Sequence, residues 1–399
     1  MVQARVRRND ALILAAAVDL TANRGWSGLT LAGAGKEAGL TIRPVRDRFN
    51  SKASLGARAW GELAGPALTD VFAQALGAAG LLDDAADPDS FATAMEALAR
   101  PSQRLSAAAE IMIVACFEPE IDEAVRTSVG ATVRGWLDPA QAGSPARAAK
   151  RGYLVALGLG LLATAGRPVL PRMDLATQWR RLLTTLATER DPVPLPDEPR
   201  PPHIAFIPFD TGDATTDDLL RAAIDHLGKH GYEGSILSAV ATDADVSEAT
   251  IYLRYPSKEA FFMDAINRHQ DISIPGYRAH LSRLEEAYGT GIAEAISIRA
   301  AMHPSERLIS VIEMERARLT WHRPNLAAAD EDRIQRLAEQ VLAIDPGNLD
   351  FADPARLHLA RAIGIGVNFL PLVDEQAWDL PYDVVTIPLN EDAAIDSSD

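Results

Sequence analysis

The sequence predicts an all-α fold, and three observations carry that prediction. Nearly every long stretch repeats its apolar residues at helical period, Ala, Leu, Glu and Arg dominate, and β-branched runs are few. Prolines punctuate the pattern as they do at helix ends: Pro88, Pro101, Pro119, Pro139 and Pro168, then Pro275, Pro304, Pro324, Pro346, Pro354 and Pro371. The chain also nearly repeats itself. With Gly25 laid on Gly231, an offset of 206, no gap is needed from Ile13/Leu219 to Ala57/Met263, and matches include Ala16/Ala222, Asp19/Asp225, Leu31/Leu237, Arg48/Arg254, Ser51/Ser257 and Lys52/Lys258. The same offset places Ala156-Leu157-Gly158-Leu159-Gly160 on Ala362-Ile363-Gly364-Ile365-Gly366. So long a period excludes a solenoid and reads as two fused copies of one domain.

Each copy opens with a compact helical head, the first over residues 1–58 and the second over 211–264. In the second, Leu237 to Ala244 forms a short helix and Asp245-Val246 turns the chain. Asp245 stands where the first copy has Gly39, a position expected to need a left-handed backbone that Asp tolerates. Ser247 is placed to cap the following helix through a backbone N–H. On that helix Ile251 and Tyr255 face inward with Val246, leaving Glu248, Ala249, Thr250, Tyr252, Leu253 and Arg254 outward. In the first head Thr41 takes the cap, Val45 and Phe49 turn inward with Leu40, and Arg43, Arg46, Asp47 and Arg48 face out.

This is the pattern of a helix-turn-helix, whose second helix presents outward residues to base edges in the major groove. Arg43 is the best candidate for a bidentate contact with guanine. Thr250, Tyr252 and Lys258 carry hydroxyls and an ammonium suited to phosphate oxygens, contacts that set register without reading sequence. The Ser257-Lys258 turn opens another helix whose N–H groups add to an anion site. The basic start, Arg5-Val6-Arg7-Arg8, is expected to reach a minor groove beside the first head.

Helical bodies follow each head, over 59–188 and 265–389. A proline-rich linker, 189–210, joins the copies and would span about 40 Å if extended. Its Ile204, Phe206 and Ile207-Pro208-Phe209 run is apolar enough to lie against a body. The acidic tail, 390–399, is expected to fray.

A net charge of −16 argues against indiscriminate nucleic-acid binding, but the charge is unevenly spread. Residues 1–60 hold ten Lys/Arg against four acids, and residues 211–270 hold five against ten. The heads are alike in pattern and opposite in charge. The single cysteine, Cys116, forms no internal disulfide, no leader segment opens the chain, and the longest apolar stretch, Tyr153 to Ala165, is too short to cross a bilayer, so a cytoplasmic protein is expected. No nucleophile-elbow, dinucleotide or Walker pattern is present, and neither catalysis nor a cofactor is expected. Asp83-Asp84-Ala85-Ala86-Asp87 reads as a solvated loop rather than a Mg²⁺ motif. His226 and His230, four apart, read as surface histidines without a third metal ligand.

The string VSEATIYLRYPSKEAFF, Val246 to Phe262, preceded by LLRAAIDHLGKHGYEG, resembles the DNA-binding head of the TetR family of transcriptional regulators. The first copy resembles it through ILAAAVDLTANRGWSG, the AGL turn and the FNSK turn. The resemblance covers both heads; the bodies agree in length and position but carry no family motif. It implies that Thr250, Tyr252 and Lys258 touch double-stranded DNA, with Pro44, Arg46 and Lys52 as their counterparts and Ser247, Arg43, Arg48 and Arg254 beside them. Pro44 and Arg46 depart from the family pattern; Pro44 falls in the first helical turn, where a missing N–H costs little.

The resemblance further implies two TetR-like halves packed as an intrachain pseudo-dimer through a four-helix bundle, with Gly158, Gly160, Gly364 and Gly366 letting helices approach. It also implies a small apolar effector in the bodies. Candidate lining residues are Met112, Cys116, Phe117 and Trp136, then Met314, Trp321 and Phe369; core packing is the competing role of these side chains. The expected function is a small-molecule-responsive repressor reading an asymmetric operator. A ligand-binding or protein-interaction module of the same fold that has lost DNA binding stays open beside it, on the acidic charge of the second head and Pro44 in the first.

Overall fold

The computed structural model describes residues 2–82, 85–165, 175–196, 208–344 and 353–396, which are helical with no strand among them. The first head comprises α1 (Val2–Gly28), α2 (Leu31–Glu37), α3 (Ile42–Arg46) and α4 (Lys52–Ala59). A π-turn, Trp60–Ala64, carries α4 into α5 (Gly65–Ala78). Then come α6 (Pro88–Ala99), α7 (Gln103–Val114), α8 (Pro119–Thr127), α9 (Val129–Leu137), α10 (Pro139–Ala142), α11 (Pro145–Thr164) and α12 (Ala176–Ala187). The second head comprises α13 (Ala214–Gly234), α14 (Leu237–Asp243), α15 (Glu248–Arg254) and the start of α16 (Lys258–Tyr288). Its body continues through α17 (Thr290–Met302), α18 (Arg307–Trp321), α19 (Pro324–Ile344), α20 (Pro354–Val373) and α21 (Asp383–Asp396).

Most prolines do open helices: Pro88, Pro119, Pro139, Pro145 and Pro354 lie in first turns, where the absent N–H has no intrahelical partner to lose. Two expected breaks are not breaks, because Pro275 lies inside α16 and Pro371 inside α20. Pro168 and Pro346 fall outside the described residues. The boundaries drawn at 58 and 264 cut continuous helix, so each head is rigidly coupled to its body rather than hinged on a loop. The basic start, Arg5-Val6-Arg7-Arg8, lies in the first turns of α1. The tail expected to fray is helical to Asp396, with Asn390 Nδ2 donating to Glu294 Oε2 at 2.8 Å.

Of the linker, residues 189–196 lie on the second body: Val193 N donates to Asp383 Oδ2 at 2.7 Å, and Arg190 pairs with Glu391. Ile204, Phe206 and Ile207 fall outside the described residues; Phe209 is buried in the core of the second head.

A single hydrophobic core runs through both bodies and the first head. Its axis is the crossing of α11 and α20. A Cβ on Gly160 would fall on the Ala362 carbonyl, and a Cβ on Gly366 on the Ala156 carbonyl, so the two helices meet backbone to backbone. Gly158 and Gly364 do not share that role: Gly158 packs under Phe72 and Leu98, and Gly364 is exposed with nothing near it. Around the crossing, Arg134 Nη1 donates to the Val373 carbonyl, Arg126 pairs with Glu375, and Trp321 Nε1 donates to the Ala163 carbonyl at 2.6 Å.

Gly160→Ala and Gly366→Ala should each force the helices apart and destabilise the protein by about 1–3 kcal/mol. Gly364→Ala should be neutral or stabilise by up to about 1 kcal/mol through helix propensity. Thermal unfolding of the three variants checks the contrast.

Candidate nucleic-acid interface

The turn between the second and third helices is built identically in both heads. Leu40 N–H bonds to Gly35 O and Gly39 N–H to Lys36 O; Val246 N–H bonds to Ala241 O and Asp245 N–H to Thr242 O. This is the paired-bond ending that follows a left-handed residue. Gly39 supplies it at φ 67° and Asp245 at φ 55°, so the substitution of one for the other keeps the turn. Val45 and Ile251 are fully buried beneath α3 and α15, fixing which faces look outward.

Outward residues differ in what they are free to do. Arg43 and Arg46 are exposed, whereas Arg48 is committed: it pairs with Asp10 of α1 and Nη1 donates to the Pro44 carbonyl at 2.7 Å. Arg254 repeats that arrangement, reaching Asp213 at 3.1 Å, Thr216 at 3.2 Å and the Thr250 carbonyl at 3.4 Å. Both arginines, expected as free DNA contacts, are engaged within their own heads, with Asp10 of α1 for Arg48 and with Asp213 and Thr216 at the start of α13 for Arg254.

Lys52 and Lys258 are likewise engaged: each ammonium lies over a ring, Trp26 at 4.4 Å and Tyr232 at 4.7 Å. Burial lowers the pKa of both. Thr41 and Ser247 hold the N-cap positions without a side-chain cap; the Ser247 hydroxyl meets that of Thr250 at 3.0 Å instead. Tyr252 is 55% exposed, and Pro44 sits half-buried in the first turn of α3.

Each head is fastened to the bodies by one device that sequence reasoning missed. Gly25 (φ 70°, ψ 176°) and Gly231 (φ 66°, ψ 176°) break their helices, and the next N–H turns to a buried carboxylate: Trp26 to Glu110 Oε1 at 2.6 Å, Tyr232 to Glu315 Oε2 at 2.8 Å. Across the chain, a Cβ on Gly25 would meet His322 and one on Gly231 would meet Phe117. One guanidinium serves both carboxylates. Arg318, 4% exposed, pairs with Glu110 at 3.1 Å, Glu315 at 2.8 Å and Glu233. The aligned glycines were visible in the sequence, but the glutamates at 110 and 315 lie off the 206 register by one residue.

Burial opposes ionisation of Glu110, yet His322, Arg318 and the Trp26 N–H together hold its carboxyl below the ordinary range. At Glu315 burial prevails and the pKa is raised. Burial acts against the charge on Arg318 too, but the surrounding carboxylates keep it firmly protonated.

None of the seven expected effector residues lines the cavity of about 330 Å³ beside this network, which is bounded by Asn23, Arg24, Gly25, Glu110, Arg318 and His322 among others. Met112, Met314 and Phe369 are core; Phe117 packs on Gly231, Trp136 is half-buried against the core, and Trp321 is tied to Ala163. Desolvation pushes the Cys116 thiol up to about 12, leaving it protonated at neutral pH. His226 is not a surface residue: it is buried, and Nε2 meets Asp243 Oδ2 at 2.7 Å, joining α13 to α14. Asp83 and Asp84 fall outside the described residues; Asp87 caps α6 through the N–H groups of Asp89 and Ser90.

Residues 219–265, from α13 through α14 and α15 into α16, match the family model of bacterial regulatory proteins, tetR family. No curated protein matches the chain. The match covers the second head alone, and it is this segment that is similar to the head of a TetR-type DNA-binding regulator of transcription. Among the described residues no helix is long and apolar enough to cross a membrane.

Arg318→Met should leave three carboxylates around an apolar side chain and cost about 3–5 kcal/mol at neutral pH. Because the Glu110 pKa is depressed in the folded protein, its stabilisation is present above the ordinary carboxylate pKa and lost as pH falls through the folded value. Without Arg318 the folded carboxylate pKa values rise and the sign reverses. The stability gap between the two proteins should therefore narrow on acidification, as measured by denaturant titration across pH 4–8.

Proposed function

We propose that this chain is a transcriptional repressor of TetR type made of two fused copies, 1–188 and 211–389, which binds duplex DNA as an intramolecular pseudo-dimer. The observation that carries the reading is the pair of helix-turn-helix units with identical turns and buried undersides, one of them within the matched segment. The α11–α20 crossing and the reciprocal Gly25–His322 and Gly231–Phe117 contacts support the pseudo-dimer. Two unlike reading helices imply two unlike half-sites about one helical turn apart. A small apolar effector bound in the helical bodies would act by its differential affinity for two spacings of the heads. Fusion makes the association of the halves intramolecular, so dilution does not dissociate the reader.

Selection from a randomised duplex pool should return a non-palindromic site bound by one chain. Arg43→Ala and Tyr252→Ala should each weaken it, the former by about tenfold or more. If Arg43 and Arg46 contact phosphate as well as base, removing each should lower the salt slope of log K by about one. A palindrome protected by two chains would overturn the asymmetric reading.

The alternative, a module of this fold that has lost DNA binding, has one observation in its favour. All five Lys/Arg of residues 211–270 are occupied: Arg221 by Asp218, Lys229 by Asp225, Arg254 by Asp213, Lys258 by Tyr232 and the Glu233 carbonyl, Arg268 by Asp264. Failure of the selection at moderate salt would favour it.

A further inference from the structure

We infer that the second head reads its half-site through thymine methyl groups, with Leu253 as the principal contacting side chain. The inference rests on the DNA-binding role proposed above and specifies its chemistry.

Leu253 is 84% exposed, more than any other large apolar side chain among the described residues. A single exposed leucine needs no explanation on its own. What gives this one meaning is the rest of α15. Guanine and adenine are distinguished in the major groove by bidentate partners, Arg or Lys for the one and Asn or Gln for the other. The helix reads Glu248, Ala249, Thr250, Ile251, Tyr252, Leu253, Arg254. Its one cation is held by Asp213, Thr216 and the Thr250 carbonyl, and it has no side-chain amide. The Thr250 hydroxyl is paired with Ser247.

Glu248 accepts hydrogen bonds and repels phosphate; among bases it suits an exocyclic amino group, that of cytosine above all. Tyr252, 55% exposed, carries the hydroxyl suited to phosphate, a contact that reads no base. Ala249 and Leu253 remain, both exposed and four residues apart, which stacks two hydrocarbon side chains along one face. The 5-methyl of thymine is the one apolar group that an unmodified base pair offers in the major groove. The first head presents the opposite chemistry, since Arg43 and Arg46 are exposed and enter no ion pair among the described residues. One half-site is therefore read by charge-assisted hydrogen bonds and the other by methyl burial.

The test uses the full chain and the duplex returned by selection. Each thymine of the second half-site is replaced in turn by deoxyuridine, which removes the methyl and keeps the base pair. Affinity should fall about fourfold at each contacted position, the worth of one buried methyl, while the same replacement in the first half-site leaves it unchanged. Leu253→Ala, a substitution at an exposed position, should bind the thymine duplex more weakly and lose the distinction between thymine and uracil. Selection of no site at all refutes DNA binding itself. A site with one half only, a uracil duplex bound as tightly as thymine, or a methyl effect that persists undiminished in Leu253→Ala overturns the inference while leaving that reading in place.

Discussion

The crossing of α11 and α20 is the constraint on which the rest of the architecture depends. Gly160 and Gly366 lack the Cβ atoms that would occupy the space of the Ala362 and Ala156 carbonyls, so two helices from distant parts of the chain touch through their backbones. At that separation the flanking side chains interdigitate at the density of a protein interior, and many small dispersion contacts accumulate along both helices. The result is one apolar core shared by both bodies. The heads continue into the bodies through helix, by way of α4 and the π-turn in the first and α16 in the second.

The fastening of the heads follows from the same arrangement. Each first helix breaks at a left-handed glycine, and each freed N–H is taken by a buried carboxylate on the opposing element. The geometry is reciprocal, while the charge is not. In the register that pairs Glu110 with Glu315, buried Ile113 occupies the place of Arg318, so one cation answers the body carboxylates that fasten both heads. A symmetric pair of identical chains would carry two such arginines or none; within one chain the two positions are independent, and this one carries one. Removing a buried cation of this kind leaves charge without compensation, which is costlier than never having placed it there.

Reuse of one framework with different chemistry recurs throughout the heads. Gly39 and Asp245 make the same turn, Arg48 and Arg254 the same clamp, Lys52 and Lys258 the same ring contact. Against that constancy the outward faces diverge, with exposed arginines on α3 and hydrocarbon on α15. Conserved geometry is what allows the divergence, because each outward residue is held at a comparable place.

Local signals by themselves determined the helical class, the turns of both helix-turn-helix units and the inward positions of Val45, Phe49 and Ile251, because periodicity and left-handed turn residues act over a few positions. Tertiary structure alone decided which charged groups are free. Arg48 and Arg254 look as available in the sequence as Arg43, yet their partners lie some forty residues away, Asp10 on α1 and Asp213 at the cap of α13. Likewise Phe117 and Trp321 resemble cavity residues at helical spacing, but their places are set by Gly231 and Ala163 from the other end of the chain. Burial and ion pairing depend on what folds against a residue, and no window of neighbouring sequence contains that information.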